Sequence, residues 1–330
     1  MLARVADSIY WMSRYIERAE NVARFIDVNL NLMLDLPLGA AQQWQPLVDI
    51  TGDTDQFAER YGVATQQNVI HFLTFDTDNM NSIVSCYRAA RENARSVREV
   101  ISSEMWQQLN EAYLLVNAAA PSGRYSTDPQ ELFAWIKVAS HTFAGITDAT
   151  MTHGEGWHFC QLGRALERAD KTSRIVDVKY FLLLPTIQDV GTTVDDIQWA
   201  AVLRSASAFE MYRKRHGRIS PRRVIEFLLL DPQFPRAIHF CLNAARESVH
   251  AISGTPRGMF RNVVEQLFGS VCSELAYAQV DDVIASGLHE YLDRLQTRMN
   301  ELGSGIHETF FEPRLAPPTR RKTRSQTMRM

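Results

Sequence analysis

Apolar residues recur along most of this chain at spacings of three, four and seven residues. Such a pattern places them on one face of an α-helix. The first long segment shows it at seven positions, which are Val5, Met12, Ile16, Ala19, Ala23, Ile26 and Leu30. The apolar–polar alternation typical of strands is hard to find, and the Asn-Gly and Asp-Gly pairs of hairpin turns are absent. The sequence therefore predicts an all-α protein.

A charged phrase occurs twice in the chain. YIERAENVARFIDV stands at residues 15–28, and ALERADKTSRIVDV stands at 165–178. When 14–28 is aligned with 164–178, seven of the fifteen positions are identical. A match of this length between two parts of one chain indicates an internal repeat.

The similarity continues beyond these phrases at an offset of 155 residues, where VIHFL at 69–73 aligns with VIEFL at 224–228. A helical half of about 150 residues is too open to bury its own apolar faces, so two copies should pack together. The sequence predicts a helical bundle of two duplicated halves related by a pseudo-two-fold axis. We expect one domain over 1–312, with repeat one at about 1–150 and repeat two at about 151–312.

One face of the repeated helix carries a charged stripe. In the first copy its members follow each other at spacings of three and four, and they are Tyr10, Arg14, Glu17, Asn21 and Arg24. The second copy repeats the face with Arg164, Glu167, Lys171 and Arg174. In a structural interpretation the stripes form a partly buried ion-pair network that fixes how the halves pack. In a functional interpretation they line a polar cavity, where the arginines hold a carboxylate or phosphate and Glu17 and Glu167 act on a proton or an amine.

A second repeated phrase adds further Arg–Glu pairs. CYRAARE ends at Arg91–Glu92, and CLNAARE ends at Arg246–Glu247. Four such pairs on four helices could converge on one site. The candidate binding residues are Arg14, Glu17, Arg18, Arg24, Arg91, Glu92, Arg164, Glu167, Arg168, Arg174, Arg246 and Glu247. The candidate catalytic residues among them are Glu17 and Glu167.

A carboxylate-bridged metal centre is an alternative. Di-metal helical bundles take Glu-x-x-His from two helices and a single Glu from each of two more. EGWH at 155–158 and ESVH at 247–250 have this spacing, and Glu17 and Glu167 could complete the set. Both matches, however, belong to the second half, and Arg95 replaces the histidine in the first. The sequence therefore assigns no metal ligand.

Charge is distributed unevenly along the 330 residues. Residues 313–330 hold six basic side chains and no acid, so the body at 1–312 carries −9 within a net charge of −3. The short, polar, proline-containing tail is predicted to be disordered. Because the body is acidic, the chain offers no basic face, and nucleic acid is not an expected partner.

The sequence also lacks the usual signals of membranes and cofactors. No apolar run reaches the roughly 18 residues that span a bilayer, and the N-terminus has no signal-peptide core. We expect a cytoplasmic protein without membrane contact. Gly-x-Gly-x-x-Gly, the Walker loop and Gly-x-Ser-x-Gly are absent, so no cofactor is predicted.

Three stretches resemble the alpha-E family of helical proteins, which is named for a recurring Glu-Arg motif. They are YWMSRYIERAENVARFIDV, SCYRAARENARSVREVISSEMW and GWHFCQLGRALERADKTSRI, and the resemblance covers about residues 1–310. The family motif maps onto Glu17–Arg18 and Glu167–Arg168. Members are typically encoded, or fused, beside a circularly permuted ATP-grasp protein and a transglutaminase-like protease. The resemblance therefore implies these two partners.

ATP-grasp enzymes commonly join a carboxylate to an amine, so the resemblance implies a role in peptide or amide ligation. The leading hypothesis is a component that binds no ATP and that binds the ligase, or a peptide or amino-acid substrate, through its Arg–Glu stripes. Three alternatives stay open. They are a stand-alone acyl or aminoacyl transferase with Glu17 or Glu167 as general base, the metal protein, and a pure scaffold.

Overall fold

A computed structural model describes residues 1–35, 44–122, 129–182 and 193–312 of the chain. These residues form fifteen α-helices and a final π-helical turn, and no strand occurs among them. The predicted all-α class is confirmed. The tail predicted to be disordered, 313–330, lies outside the described residues.

Of these helices, seven precede residue 151 and eight follow it. The first seven are α1 (Ala3–Asp35), α2 (Gln45–Thr51), α3 (Thr54–Tyr61), α4 (Gln66–Thr74), α5 (Ile83–Ser96), α6 (Ser103–Ser122) and α7 (Gln130–Thr150). The others are α8 (Glu155–Leu182), α9 (Thr193–Ser205), α10 (Phe209–His216), α11 (Pro221–Leu230), α12 (Ile238–Ser253), α13 (Val263–Tyr277), α14 (Val280–Ala285) and α15 (Leu288–Ile306), with the π-helical turn at His307–Phe311. Helices α10, α11 and α12 begin 155 residues after α3, α4 and α5, which is the offset of the sequence similarity.

The two longest helices, α1 and α8, pack against each other at the centre of the fold. Helices α5 and α7 also pack on α1, while α12 and α15 pack on α8. Gly163 permits the close contact of α1 with α8. A Cβ atom at this position would overlap the carbonyl oxygen of Tyr10 and lie 3.3 Å from Cγ of Arg14. The contact brings the two copies of the charged phrase together.

Helix α1 is buried on both of its faces. Six of the seven apolar positions predicted for its inner face are buried, and Leu30 is half-buried. The charged face is covered too, since Glu20 has no exposed surface and Arg24 is only 9% exposed. Buried charges are costly unless they are paired and hydrogen-bonded. The charged stripe therefore needs partners within the fold.

None of the described helices is long and apolar enough to cross a membrane. The four cysteines are free and buried, and burial raises the pKa of the Cys86 and Cys241 thiols to about 12. These thiols are protonated at neutral pH and pack as small apolar groups.

Candidate functional site

The two copies of the Glu-Arg phrase exchange partners where α1 meets α8. Arg18 donates from Nε to Oε1 of Glu167 at 2.7 Å and from Nη2 to Oε2 at 3.0 Å. Arg168 donates from Nε and Nη2 to the two carboxylate oxygens of Glu17, both at 2.8 Å. Each glutamate is thus held in a bidentate pair by the arginine of the other copy. We call this arrangement the crossed Arg–Glu pairs.

Arg14 adds a second guanidinium to Glu167, which has no exposed surface. Its Nε donates to Oε2 of the glutamate at 2.8 Å, and its Nη1 donates to the hydroxyl of Tyr10 at 3.0 Å. Arg14 is therefore anchored on two sides. The residue links the crossed Arg–Glu pairs to the N-terminal part of α1.

Arg236, two residues before α12, adds a second guanidinium to Glu17. It donates from Nη1 to Oε1 of Glu17 at 3.1 Å and to Oδ1 of Asn21 at 2.9 Å. Its Nη2 donates to Oε2 of Glu20 at 2.8 Å. Arg236 is only 6% exposed, so these three side chains replace the water that it loses on folding.

Sequence reasoning missed Arg236 because no arginine stands at the matching position of the first half. That position, 155 residues earlier, is Asn81, and its side chain accepts a hydrogen bond from Nη1 of Arg18 at 2.8 Å. Asn81 and Arg236, which are 155 residues apart, thus add a neutral acceptor and a cation to the network. In the sequence this difference is visible in the loops before α5 and α12, where neutral Asn81 aligns with basic Arg236.

The other arginines of the stripes pair nearer to the ends of the two helices. Each lies beside an acid, with Arg24 bonded to Glu20, Arg174 at 3.0 Å from Asp170, and Arg164 at 3.9 Å from Asp148. Lys171 lies 3.1 Å from Asp170 as well as 3.9 Å from Glu167. The basic side chains of the stripes are thus paired with acidic side chains of the same chain.

The second set of Arg–Glu pairs does not join this network. Arg91 contacts the adjacent Glu92 at 3.1 Å, and its guanidinium lies over the ring of Tyr113 at 4.9 Å. In the second half, Glu247 pairs with Arg257 at 2.8 Å, and Arg246 lines a separate cavity of about 480 Å³. Among the described residues, neither pair hydrogen-bonds to Glu17 or Glu167. The four Arg–Glu pairs therefore do not converge on one site.

An open cavity of about 500 Å³ lies beside Arg14, where α1, α8, α15 and the π-helical turn meet. We call it the α1–α15 groove. Trp11 forms part of its wall, and the guanidinium of Arg14 stacks over this indole at 4.9 Å. The acidic side chains of Asp170, Glu308 and Glu312 also line it. Arg14 is the predicted site residue that connects this groove with the crossed Arg–Glu pairs.

Three of the residues weighed as metal ligands, Glu155, Glu247 and His250, are engaged elsewhere. Glu155 bonds to the N-terminal ammonium at 2.7 Å, and Nδ1 of His250 lies 3.1 Å from the carbonyl oxygen of Thr255. Glu247 pairs with Arg257, as described above. Within the described ranges of the chain, no group of three His, Cys, Asp or Glu side chains is placed to hold a metal ion.

Comparison with protein families gives the same motif that the geometry singles out. A family model described as a predicted alpha-helical domain with a conserved ER motif matches residues 1–311. The chain belongs to the Alpha-E family. Two Glu-Arg pairs of the chain, Glu17–Arg18 and Glu167–Arg168, exchange partners between α1 and α8.

Similar proteins occur in mycobacteria. The chain is 24% identical over 334 residues to Uncharacterized protein Rv2567 of Mycobacterium tuberculosis and to Uncharacterized protein Mb2597 of Mycobacterium bovis. Each alignment covers 92% of this chain and 35% of the relative. The Alpha-E chain thus spans about a third of the length of the curated relatives it matches. No solved structure matches it.

The electrostatics of the Alpha-E motif keep both glutamates ionised. Burial alone would raise the pKa of Glu17, but Arg168 and Arg236 outweigh it and lower the pKa to about 2. Burial is likewise outweighed at Glu167, where Arg18, Arg14 and Lys171 hold the pKa far below its usual range. Carboxylates of such low pKa are weak bases at neutral pH. They are suited to holding cations in place.

Because of these ion pairs, the free energy of unfolding depends on pH in the acidic range. Glu17 has a folded pKa of about 2 against an ordinary value of 4.5, so the folded state binds this proton less readily than the unfolded state. Its contribution to stability is complete above pH 4.5 and is lost as the pH falls towards 2. We expect urea unfolding in this range to show a smaller loss of stability in Glu17→Gln than in the wild type. Equal pH slopes in the two proteins would contradict the assignment.

Proposed function

We propose that this Alpha-E chain is a binding component, with no catalytic step of its own, of a cytoplasmic system that forms or modifies peptides by amide ligation. Its proposed partners are a circularly permuted ATP-grasp protein and a transglutaminase-like protease. The chain would hold the ligase, or a peptide or amino-acid substrate, beside its Arg–Glu network. Family membership supports the choice of partners, and the geometry of the network supports the binding role.

One observation carries the binding role. Both oxygens of Glu17 and of Glu167 accept hydrogen bonds from guanidinium groups of the same chain. A general base needs a free lone pair within reach of a substrate proton and a pKa near the working pH. The low pKa of Glu17 and the full engagement of both carboxylates weigh against the transferase alternative.

The α1–α15 groove supports a ligand site that borders the network. Its volume of about 500 Å³ lies within the roughly 300–1,000 Å³ of ordinary ligand pockets. Arg14 reaches from the crossed Arg–Glu pairs to this groove, so the network holds a binding group in a fixed position. Arg14 would then contact the ligand, and the other residues of the stripes would stabilise the packing of the helices.

We also propose that the two halves of the chain arose by internal duplication. The recurrence of helix starts at 155 residues and the exchange between the crossed Arg–Glu pairs support two halves with a common origin. A pseudo-two-fold axis between α1 and α8 would relate Arg18–Glu167 to Arg168–Glu17. Such an exchange ties each half to the other, because the arginines that hydrogen-bond to each glutamate come from the opposite half.

The test is reconstitution with the ATP-grasp protein from the same host. The full chain is tagged and purified gently, and its stoichiometric companions are identified by mass spectrometry. The purified pair is then given ATP and amino acids, and phosphate release and amide products are measured with and without the chain. We expect the ATP-grasp protein to co-purify and to form product faster when the chain is present.

Two results would overturn the proposal. One is an ATP-grasp protein that neither binds the chain nor changes its product formation when the chain is added. The other is turnover of an acyl donor by the chain alone that is lost in Glu17→Gln or Glu167→Gln while the folded fraction is unchanged. The second result would move the assignment to a stand-alone transferase.

A further inference from the structure

Two N–H groups of Arg14 make no hydrogen bond within the described residues and are available to a ligand in the α1–α15 groove. A guanidinium carries five N–H bonds. Three of them are engaged, by Nε and Nη2 towards Glu167 and by Nη1 towards Tyr10. One N–H on each terminal nitrogen remains, and the side chain is 15% exposed where it lines the groove. Two parallel N–H bonds are the arrangement that binds a carboxylate best.

The groove also carries two carboxylates that pair with no cation of the described ranges. Glu308 and Glu312 are exposed, and both line the groove. Neither makes an ion pair with any side chain in the described ranges. Asp170, by contrast, is already paired with Lys171 and Arg174. A ligand cation at Glu308 and Glu312 would be attracted by both carboxylates.

The remaining wall of the groove is partly apolar and partly polar, with Asn300, Ser304 and His307 among its polar side chains. Trp11, Phe311 and Leu166 line it, together with Met299 of α15. The cavity of about 500 Å³ can hold a di- or tripeptide. One cationic group, two carboxylates that form no ion pair within the described ranges, and a partly apolar wall suit a short molecule that carries a charge of each sign.

The second half does not repeat this groove. The equivalent place beside Arg164 is a cavity of only about 20 Å³, which is room for about one water molecule. Ser140, Phe143 and Thr147 of α7 close it, where α15 leaves the groove open. Among the described residues, the cavity beside Arg14 is therefore large enough for a ligand, whereas the one beside Arg164 is not.

From these observations we infer that the α1–α15 groove binds one zwitterion per chain, a free amino acid or short peptide, with its carboxylate at Arg14 and its ammonium group at Glu308 and Glu312. The inference rests on the proposed function and names the substrate class for it. It also assigns a single site to a chain with two copies of the motif.

The test is calorimetric titration of the full chain with the free dipeptides Ala-Ala, Ala-Lys and Ala-Glu. We expect at least one of them to bind with a stoichiometry of about one. Acetylation of its amine, or amidation of its carboxylate, should weaken binding by about tenfold or more, since each removes a charge-assisted contact. The double variant Glu308→Gln, Glu312→Gln should weaken binding to a similar degree. Glu301→Gln, an exposed change of the same charge on α15 outside the groove, should bind as the wild type does.

Three outcomes would overturn the inference: no binding of any of the three dipeptides, equal binding of the blocked and free forms, or two equivalent sites per chain. Its failure is distinguishable from failure of the proposed function. A chain that stimulates the ATP-grasp protein but binds no dipeptide would keep the function and lose this site. A chain that binds a dipeptide but leaves the ATP-grasp protein unaffected would keep the site and lose the function.

Discussion

Replacing Glu167 with glutamine is expected to lower the free energy of unfolding by about 3–5 kcal/mol. The carboxylate has no exposed surface and neutralises Arg14, Arg18 and Lys171. Glutamine has nearly the same shape, so the change removes the charge without opening a cavity. Three buried or half-buried cations would then face each other without their counter-ion. Urea unfolding followed by circular dichroism measures the loss.

The matched control is Glu226→Gln, which makes the same chemical change in an exposed pair with Arg222. That glutamate lies one helical turn from the arginine, and both side chains are 47% exposed. Exposed pairs of this kind contribute about 0–1 kcal/mol. If Glu167→Gln cost no more than this control, Glu167 would not be the buried centre of a charge network.

The second large effect is expected from Gly163→Ala. A methyl group at this position would overlap the carbonyl oxygen of Tyr10, which belongs to the backbone of α1 and cannot rotate away. Helices α1 and α8 would have to separate, and the crossed Arg–Glu pairs would lengthen. Overpacking costs about 1–3 kcal/mol, and we expect the upper part of this range because backbone has to move. Thermal unfolding of the variant should begin at a clearly lower temperature.

Gly145→Ala serves as the control for this substitution. Gly145 is exposed within α7, and a methyl group there would meet no atom within 4 Å. Alanine is the better helix former by about 0.5–1 kcal/mol, so this variant should be slightly more stable than the wild type. Opposite signs for the two Gly→Ala changes would locate the steric limit at the α1–α8 contact. Equal, small effects would show that the two helices are not packed as tightly as described.

The sequence predicts the helices well because their apolar positions follow a simple period. The apolar face of α1 could be read from Met12, Ile16, Ala19 and Ala23, and all four are buried. The repeated Glu-Arg phrase likewise marks the residues at the centre of the network. Periodicity shows which side chains share a face, whereas contacts between faces depend on how the helices pack.

For that reason, the sequence could not predict which side chains of the stripes form ion pairs with each other. Glu17 and Arg18 are adjacent in the chain, yet Glu17 binds Arg168 and Arg18 binds Glu167. Arg236 comes from a loop outside any stripe, and its match in the first half is a neutral residue. The α1–α15 groove depends on the π-helical turn and on the position of α15, which no local pattern encodes.

Arg14 belongs to both the ion-pair network and the α1–α15 groove, so the network also fixes the position of the proposed binding group. The guanidinium is fixed by Glu167 on one side and by Tyr10 and Trp11 on the other. A binding group that is held by its own fold loses little freedom when a ligand arrives. Rigid support of this kind would allow a buried structural network to border the proposed ligand site.

The most direct test of the crossed Arg–Glu pairs is a pair of double-mutant cycles on the free energy of unfolding. One cycle combines Glu17→Gln with Arg168→Gln, and the other combines Glu17→Gln with Arg18→Gln. We predict a coupling energy of about 1–3 kcal/mol between Glu17 and Arg168, because they are in contact, and a clearly smaller one between Glu17 and Arg18. A coupling energy for Glu17 and Arg18 that equals or exceeds the other would contradict the exchange of partners between the two copies of the motif.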